Sequence, residues 1–491
     1  MKHMKPICFL ALLFLSAVFM NGAFGVELPD TPPAGRMAEY LKVFNSGDEA
    51  TWRAFSTGDF WQREADSSIV EQRMGMFKTL YADLGGMDIV RLEESSHDKI
   101  SLLCKARRSG APFEYVLLMI ETDSLEPYRV AGLNIRPGES PEYDLPEGKM
   151  SDDEMVAYLE DYLNKLTSED KFSGTVLVAR DDRVLFKKAY GTACKRYDVP
   201  NKIDTKFNLG SMNKMFTGVA IAQLAQQGKL SFDDPIIKHL PDYPNKEVAE
   251  KVTIHHLLTH TSGMGDYWEE IFAAKWWEIK TVQQIADLIA DKPLEFEPGE
   301  RFRYSNSGPI ILGLIIEKLS GMSYYDYVKE YIYKPAGMVN SGCFEVDRPV
   351  PNLAIGYTKM NYNGEPDPDG QWYNNLFMHV VKGGPAGGGY STVEDLFNFA
   401  RALKSHKLLN KEYTELVTTG KVDMGPDMKY AYLFGDETAN GQRIIGHSGG
   451  APGINSRLEL YLDSGYTVAV MANYDMAAET VNRKIKQLLT R

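Results

Sequence analysis

A serine followed three residues later by a lysine sets a hydroxyl and an amine on one helical face. A buried lysine whose pKa has fallen can then take the hydroxyl proton and make the oxygen a nucleophile. The pattern occurs three times, at Ser96…Lys99, Ser168…Lys171 and Ser211…Lys214. Ser96 lies in a polar turn between strand-like runs, and Ser168 at the frayed end of a helical pattern. Ser211 instead follows FNLG and opens MNKMFTGVAIAQLAQQG, a long apolar helix, which also puts its hydroxyl near the positive end of the helix dipole. Ser211 with Lys214 is therefore the candidate nucleophile and base.

Two further constellations could serve that pair. Tyr304-Ser305-Asn306 precedes a Ser307-Gly308 turn and a strongly apolar helix. A phenol placed between cations can relay the serine proton, while an amide at Asn306 can hold Lys214 and a substrate amide. Tyr-x-Asn also occurs at Tyr162, along an ordinary helix, and at Tyr373, in the polar loop EPDPDGQWYNN. His447-Ser448-Gly449 ends a late strand and runs into Gly450-Ala451-Pro452-Gly453. Glycines on a strand edge let the backbone approach a substrate, and an N–H there can face an oxyanion. Lys382-Gly383-Gly384 is a rival that lacks the hydroxyl and runs straight into a proline.

Other features read as structural. His256 and His260 stand four apart, as metal-binding helices space them, but Leu257 occupies the place where a zinc protease needs its glutamate. No metal and no other cofactor is expected. Gly383–Gly389 is too glycine-dense for a dinucleotide fingerprint and reads as a tight passage of chain near the site. Trp268, Trp276, Trp277 and Trp372 fall in polar segments and are candidates for walling a cleft or packing an irregular loop.

The elements that must position these residues fall into two blocks. In 151–491, Ser151…Glu154 forms a capping box ahead of an amphipathic helix, and TVLVARDDRVLFKKAYG reads as two β runs around a turn. RIIGHSG, INSRLELYLD and YTVAVMANY are strands near the other end, followed by a last helix in ETVNRKIKQLL. The predicted fold is α+β: an antiparallel sheet built from both ends of the domain, with flanking helices and a mostly helical insertion over roughly 192–440. Before it, residues 30–135 read as helices over MAEYLKVFNSGDEATWRAF and Ile69–Leu84, then an antiparallel meander in MDIVRLEE, DKISLLCKAR, FEYVLLMIET and YRVAGLNI. Residues 136–150 have linker composition, rich in proline, glycine and acids.

Composition bounds the partners. The 491 residues are 44% hydrophobic and 25% charged, ordinary globular values, with a net charge of −13 that argues against a nucleic-acid partner. Residues 1–25 carry Lys2 and Lys5, an apolar run over Ile7–Met20 and a small-x-small ending at Ala23-Phe24-Gly25, the layout of a cleavable secretory signal. That apolar run is short of the roughly 20 residues that span a bilayer, so no stable membrane anchor is expected. Cleavage would leave 26–491 at −15, since Lys2 and Lys5 leave with the signal, and retain Cys104, Cys194 and Cys343, whose pairing the spacing does not settle. The expected product is a secreted or periplasmic protein.

SMNK, YSN and HSG, in that order, resemble the serine β-lactamase and penicillin-binding-protein superfamily, specifically its class C and esterase-like branch. GKLSFDDPIIKHLPDYP, TIHHLLTHTSGM, YVKEYIYKPAGM and PAGGGYSTVEDLFNFARAL resemble the same family's text, and together the match spans about 151–491. The resemblance implies a β-lactamase/transpeptidase-like fold with Ser211 acylated, Lys214 and Tyr304 as base and proton shuttle, and Asn306 positioning them. It places the oxyanion between the N–H groups of Ser211 and Gly450, with His447, Ser448 and Gly449 on the strand side of the substrate. The branch's β-lactamases carry Lys-Thr-Gly or Lys-Ser-Gly where this chain has His447-Ser448-Gly449, so a permanent cation becomes a titratable imidazole. The implied substrate is a small molecule or peptide with a scissile amide or ester, and the implied enzyme a D-amino-acid peptidase or esterase, with β-lactamase or a catalytically silent penicillin-binding-like sensor or scaffold as alternatives. The order of elements in 30–135, and FNSGDEATWRAF within it, resemble the cone-shaped fold of nuclear transport factor and ketosteroid isomerase. No Asp–Tyr pair there suits isomerase chemistry, so the expected role is dimerisation or docking.

Overall fold

A computed structural model describes residues 26–62, 65–109, 111, 113–146, 148–273, 276–367, 369–425 and 427–491. The segment read as an export signal, 1–25, lies outside the described residues. Among these, no helix is long and apolar enough to cross a membrane. The chain divides into two compact units, Met1–Pro146 and Glu147–Arg491.

In the front unit, helices Pro32–Phe44, Glu49–Ser56 and Ser67–Leu84 precede a four-stranded antiparallel meander of Met87–Ser95, Lys99–Ala106, Tyr115–Thr122 and Val130–Pro137. The sequence predicts a helical pattern across residues 37–55, whereas the chain breaks it at Asn45–Asp48. Gly47 takes φ +66, a left-handed value that ends a helix, and Asp48 then accepts from the Thr51 N–H to cap the next one. The core is aromatic: Tyr40, Phe44, Trp52, Phe60 and Phe77 are all buried, and the alternation of Leu102, Leu118 and Ile120 turns one face of the meander onto them. Part of the linker-like stretch is ordered, with a 3₁₀ turn at Pro141–Tyr143 and Asp144 paired with Arg91.

The second unit is built around an eight-stranded antiparallel sheet. Its strand order is Val422–Gly425, Met428–Tyr430, Gly435–Ala439, Gln442–Ala451, Ile454–Tyr461, Tyr466–Ala472, Gly174–Arg180 and Arg183–Tyr190. The hairpin from the unit's beginning thus joins the strands from its end, Gly174 facing Ala472, as the two-ended sequence pattern predicts. Helices Asp152–Ser168 and Ala477–Leu489 flank it, the first with its Ser151–Glu154 capping box formed. One boundary moves. The inserted region ends near 420 rather than 440, because Val422–Gly425, Met428–Tyr430 and Gly435–Ala439 extend the sheet. These edge strands are three to five residues long, too short for period-two alternation to stand out.

Two features of this unit set up the site. Helix Lys214–Gln226 is buried on almost its whole circumference and packs against helix Ser307–Ser320, so both run through the core rather than over it. Phe216 sits edge-on to Tyr333 and Phe399, at 5.2 and 4.9 Å, the kind of burial whose truncation costs about 3–5 kcal/mol. In strand Gln442–Ala451, pairing with Gly435–Ala439 stops at Gly446, while pairing with Ile454–Tyr461 continues to Ala451. Residues 447–451 are therefore paired on one side.

Candidate active site

Ser211 stands in a 3₁₀ turn, Gly210–Asn213, that leads into helix Lys214–Gln226. The turn is pinned from both sides: the Asn208 side chain accepts from the Gly210 N–H at 2.8 Å, and Ser456 Oγ donates to the Leu209 carbonyl at 2.7 Å. Gly210 has φ +49, and a Cβ there would lie 2.9 Å from the Gly450 nitrogen. A Cβ on Gly449 would meet the Leu209 carbonyl oxygen at 1.9 Å. Glycine at both positions is thus what lets the strand carrying His447–Gly450 lie against the turn that holds Ser211. The rival pairs are elsewhere: Ser96 sits in an exposed turn bonded to Asp98, and Ser168 closes helix Asp152–Ser168.

The Lys214 side chain is fully buried. Its Nζ lies 3.0 Å from Ser211 Oγ, 2.7 Å from Asn306 Oδ1, 2.5 Å from the Ala386 carbonyl and 4.8 Å from the centre of the Tyr304 ring. Burial lowers its pKa from 10.5 to about 7, with the charge of Asp266 pulling the other way. Two of its three hydrogen-bond partners, the amide oxygen and the carbonyl, can only accept. A neutral amine has two N–H bonds and one lone pair, so those acceptors take both hydrogens and leave the lone pair for Ser211. Burial also raises the Tyr304 hydroxyl above the ordinary phenol value, against an opposing hydrogen bond with Ser211. Tyr304 keeps 38% of its surface open, so solvent moderates that rise, but the phenol stays protonated at neutral pH.

Asp266 completes the arrangement, and the sequence reading passed over it. Its Oδ2 accepts from Asn306 Nδ2 at 2.9 Å and from the Asn306 N–H at 3.3 Å, which turns the amide oxygen toward Lys214. The only signal was a lone acid after Gly-Met-Gly, and nothing local links it to Asn306, 40 residues on. An Asp266→Asn protein is expected to fold normally and lose on the order of 10²-fold in kcat/KM, because a reoriented amide misplaces the amine. Parallel melting curves and ester-hydrolysis rates measure both parts.

The glycine-dense segment passes directly beneath these groups. Asn213 Nδ2 donates to the Gly384 carbonyl at 2.7 Å and Thr217 Oγ1 to that of Pro385 at 2.8 Å, next to the Lys214–Ala386 bond. A Cβ on Gly383 would lie 2.1 Å from the Gly388 carbonyl carbon, so this tight crossing needs glycine. Lys382, the rival cation, lines the Ser211 cleft but lies 3.4 Å from Glu345.

Two clefts adjoin these groups. One, about 60 Å³, holds Ser211, Asn306 and Gly450 with the apolar walls Tyr267, Trp268 and Ile310. The other, about 150 Å³, holds Tyr304, His447 and Ser448 with Met424 and Met428. Gly449 is buried between them, against Leu209. Of the four tryptophans in polar segments, Trp268 walls a cleft, Trp276 packs on Trp277, and Trp372 stacks on Tyr474 at 4.4 Å. Both ring nitrogens of His260 have protein partners, the Ser305 N–H and Tyr430 Oη, and His256 Nδ1 accepts from the Thr253 N–H, so this pair is spent on structure. Cys104, Cys194 and Cys343 are unpaired.

An antiparallel sheet with a serine–lysine pair at the head of a buried helix, a tyrosine above it and a glycine-edged strand beside it defines a class, and the family comparison agrees. Residues 159–489 match the Beta-lactamase family model, and the chain belongs to the serine β-lactamase and penicillin-binding-protein superfamily. Penicillin-binding protein 4* of Bacillus subtilis (strain 168) is 31% identical over 336 residues, 66% of this chain and 72% of that one. A penicillin binding protein from Bacillus halodurans superposes with a TM-score of 0.60 at 34% identity, over 66% of this chain and 99% of that one. A D-stereospecific amidohydrolase from Streptomyces sp. gives a TM-score of 0.56 at 26% identity, over 67% of this chain and 97% of that one.

Proposed function

We propose that this protein cleaves an amide or ester through an acyl-enzyme on Ser211, as a D-amino-acid peptidase or esterase. The supporting observation is the Lys214 amine, buried within reach of two obligate acceptors and 3.0 Å from Ser211 Oγ. Ser211 Oγ attacks the substrate carbonyl while Lys214 takes its proton, and the N–H groups of Ser211 and Gly450 receive the oxyanion. Tyr304 then gives its proton to the departing nitrogen or oxygen, leaving a phenolate beside the Lys214 ammonium. In the second half a water attacks the ester, the phenolate takes the water's proton, and Lys214 returns its own to Ser211. Every proton is accounted for with no group beyond the chain's own. His447 and Ser448 contact the leaving side, and the apolar walls of the Ser211 cleft suit an apolar acyl group. The D-stereospecific amidohydrolase among the similar structures supports an amide of a D-amino acid.

Intact-protein mass spectrometry after exposure to penicillin, a D-Ala-D-Ala peptide and a short-chain p-nitrophenyl ester tests this reading. A short-lived adduct on Ser211 from peptide or ester is expected. Rapid turnover of penicillin would make the protein a β-lactamase instead, and no adduct from any of the three would leave a silent binding protein. Export with loss of 1–25 is part of the proposal, as is a dimerisation or docking role for the front unit. N-terminal sequencing and sedimentation of the purified protein check them.

A further inference from the structure

His260, Tyr430 and His447 form a hydrogen-bonded chain that the proposed mechanism does not use. The Ser305 N–H lies 3.3 Å from His260 Nδ1, His260 Nε2 lies 3.1 Å from Tyr430 Oη, Tyr430 Oη lies 2.9 Å from His447 Nε2, and His447 Nδ1 lies 2.5 Å from the Ser448 carbonyl oxygen. Both ends of the chain have fixed polarity, because a backbone N–H only donates and a carbonyl only accepts. His260 Nδ1 must therefore be bare, which puts its proton on Nε2, donating to Tyr430. The Tyr430 hydroxyl then donates to His447 Nε2, and the His447 proton sits on Nδ1, donating to Ser448. With both rings neutral, no other assignment satisfies every link. A proton added to either ring would leave the Ser305 N–H or the Tyr430 hydroxyl without an acceptor, in a place where His260 is 1% and Tyr430 3% exposed.

We infer that Tyr430, anchored by His260, is a positioning residue that locks His447 as the neutral Nδ1–H tautomer, so that the strand facing Tyr304 offers a substrate no cation. This rests on the reading of Ser211 as the acylated residue and goes beyond it, since among amides and esters it favours neutral leaving groups and makes a donor whose leaving group carries a carboxylate, the D-Ala-D-Ala peptide included, the slower acylating agent. The charged surroundings agree. Around His447 stand Lys214 from the central helix, Tyr304 and Tyr430, and the Arg457, Glu437 and Glu459 that line the same cleft. Arg457 is itself paired, 2.9 Å from Glu459 and 3.2 Å from Glu479, so its charge is met within the protein. Burial and the Lys214 charge lower the His447 pKa to about 3, and the His260 value falls for the same two reasons. The titratable imidazole at this position is held in one state.

Histidine-selective ¹⁵N NMR on the full chain tests the lock without requiring turnover, with His447→Gln supplying the assignment. In the unsubstituted protein one ring should read as the Nε2–H form and His447 as the Nδ1–H form, neither titrating between pH 5 and 8. In Tyr430→Phe, His447 should sample both tautomers, and its pKa should rise from about 3 toward the ordinary imidazole value as far as the remaining burial and Lys214 charge allow. The kcat/KM profile of that variant should gain a new acid limb there, with about a tenfold loss below it. The conservative phenol-to-phenyl change should leave the melting temperature within a few degrees, and if it does not fold, His260→Asn cuts the chain at its other end while tolerating the φ of +56 at that position. A His447 that titrates between pH 5 and 8 in the unsubstituted protein, or one unchanged in the variants, overturns the inference. Failure of Ser211 to form any adduct would sink the hydrolase reading alone, because the tautomers are read independently of it.

Discussion

Ser211→Ala is expected to cut hydrolysis of a p-nitrophenyl ester by about 10⁴-fold or more and to abolish the covalent adduct, while leaving the fold intact. The magnitude follows from what the hydroxyl does. Without it Lys214 has no proton to take and Tyr304 no acyl-enzyme to complete, so the remaining groups can bind substrate but cannot share the reaction between two lower barriers. The stability side is equally specific. Ser211 lies at a cleft rather than in the core, and the turn that holds it is fixed by Asn208, Ser456 and two glycines instead of by its own hydroxyl. Melting temperatures should therefore agree within a few degrees. A variant that keeps even a tenth of the activity would show that the nucleophile is another residue.

The second large effect belongs to Lys214. Only its neutral form has a lone pair for Ser211, and its pKa is lowered to about 7 by burial. Below that pH the amine is charged and the base is absent; above it the base is present. Acylation should thus rise with pH through about 7 and level off beyond, until Tyr304 loses the proton it must give to the leaving group. Lys214→Met removes the base and should lose about 10²–10⁴-fold at every pH, flattening that rise. Lys214→Arg is expected to be as damaging, because guanidinium keeps its proton throughout the range. Stopped-flow acylation rates from pH 5 to 9 measure the limb directly. A profile with no inflection between pH 6 and 8 would exclude Lys214 as the base.

The polarity of the His260–Tyr430–His447 chain gives a different kind of lesson. His-Ser-Gly on a strand end makes His447 a candidate from the sequence, and the fold sets it in a cleft with Tyr304, but its charge state is not legible there. An imidazole's tautomer is set by what touches each nitrogen, and here those partners come from residues 430 and 448, with residues 260 and 305 behind them. Asp266 was invisible for the same reason, since its only distinction is a pair of hydrogen bonds to Asn306. His260 was weighed as a metal ligand because its spacing from His256 is local, while its real partners are distant. The strands at 422–439 were missed on other grounds, being too short to leave a periodic trace.

What the sequence determined by itself was whatever is carried by short-range pattern. Ser211 and Lys214 share a helical face because residues three apart stand one helical turn apart, and apolar periodicity marks the helices behind Ser211 and Tyr304. Paired runs at the two ends of 151–491 announce a sheet, and the order of three motifs ties them to a superfamily. What only the tertiary structure decided is the protonation and aim of those groups. Burial sets the pKa of Lys214, two distant acceptors aim its lone pair, Asp266 turns Asn306, and a four-link chain fixes His447. Each is an electrostatic or hydrogen-bonding effect that decays within a few ångströms, so it depends on which residues meet in space. Separation along the chain carries no record of that meeting.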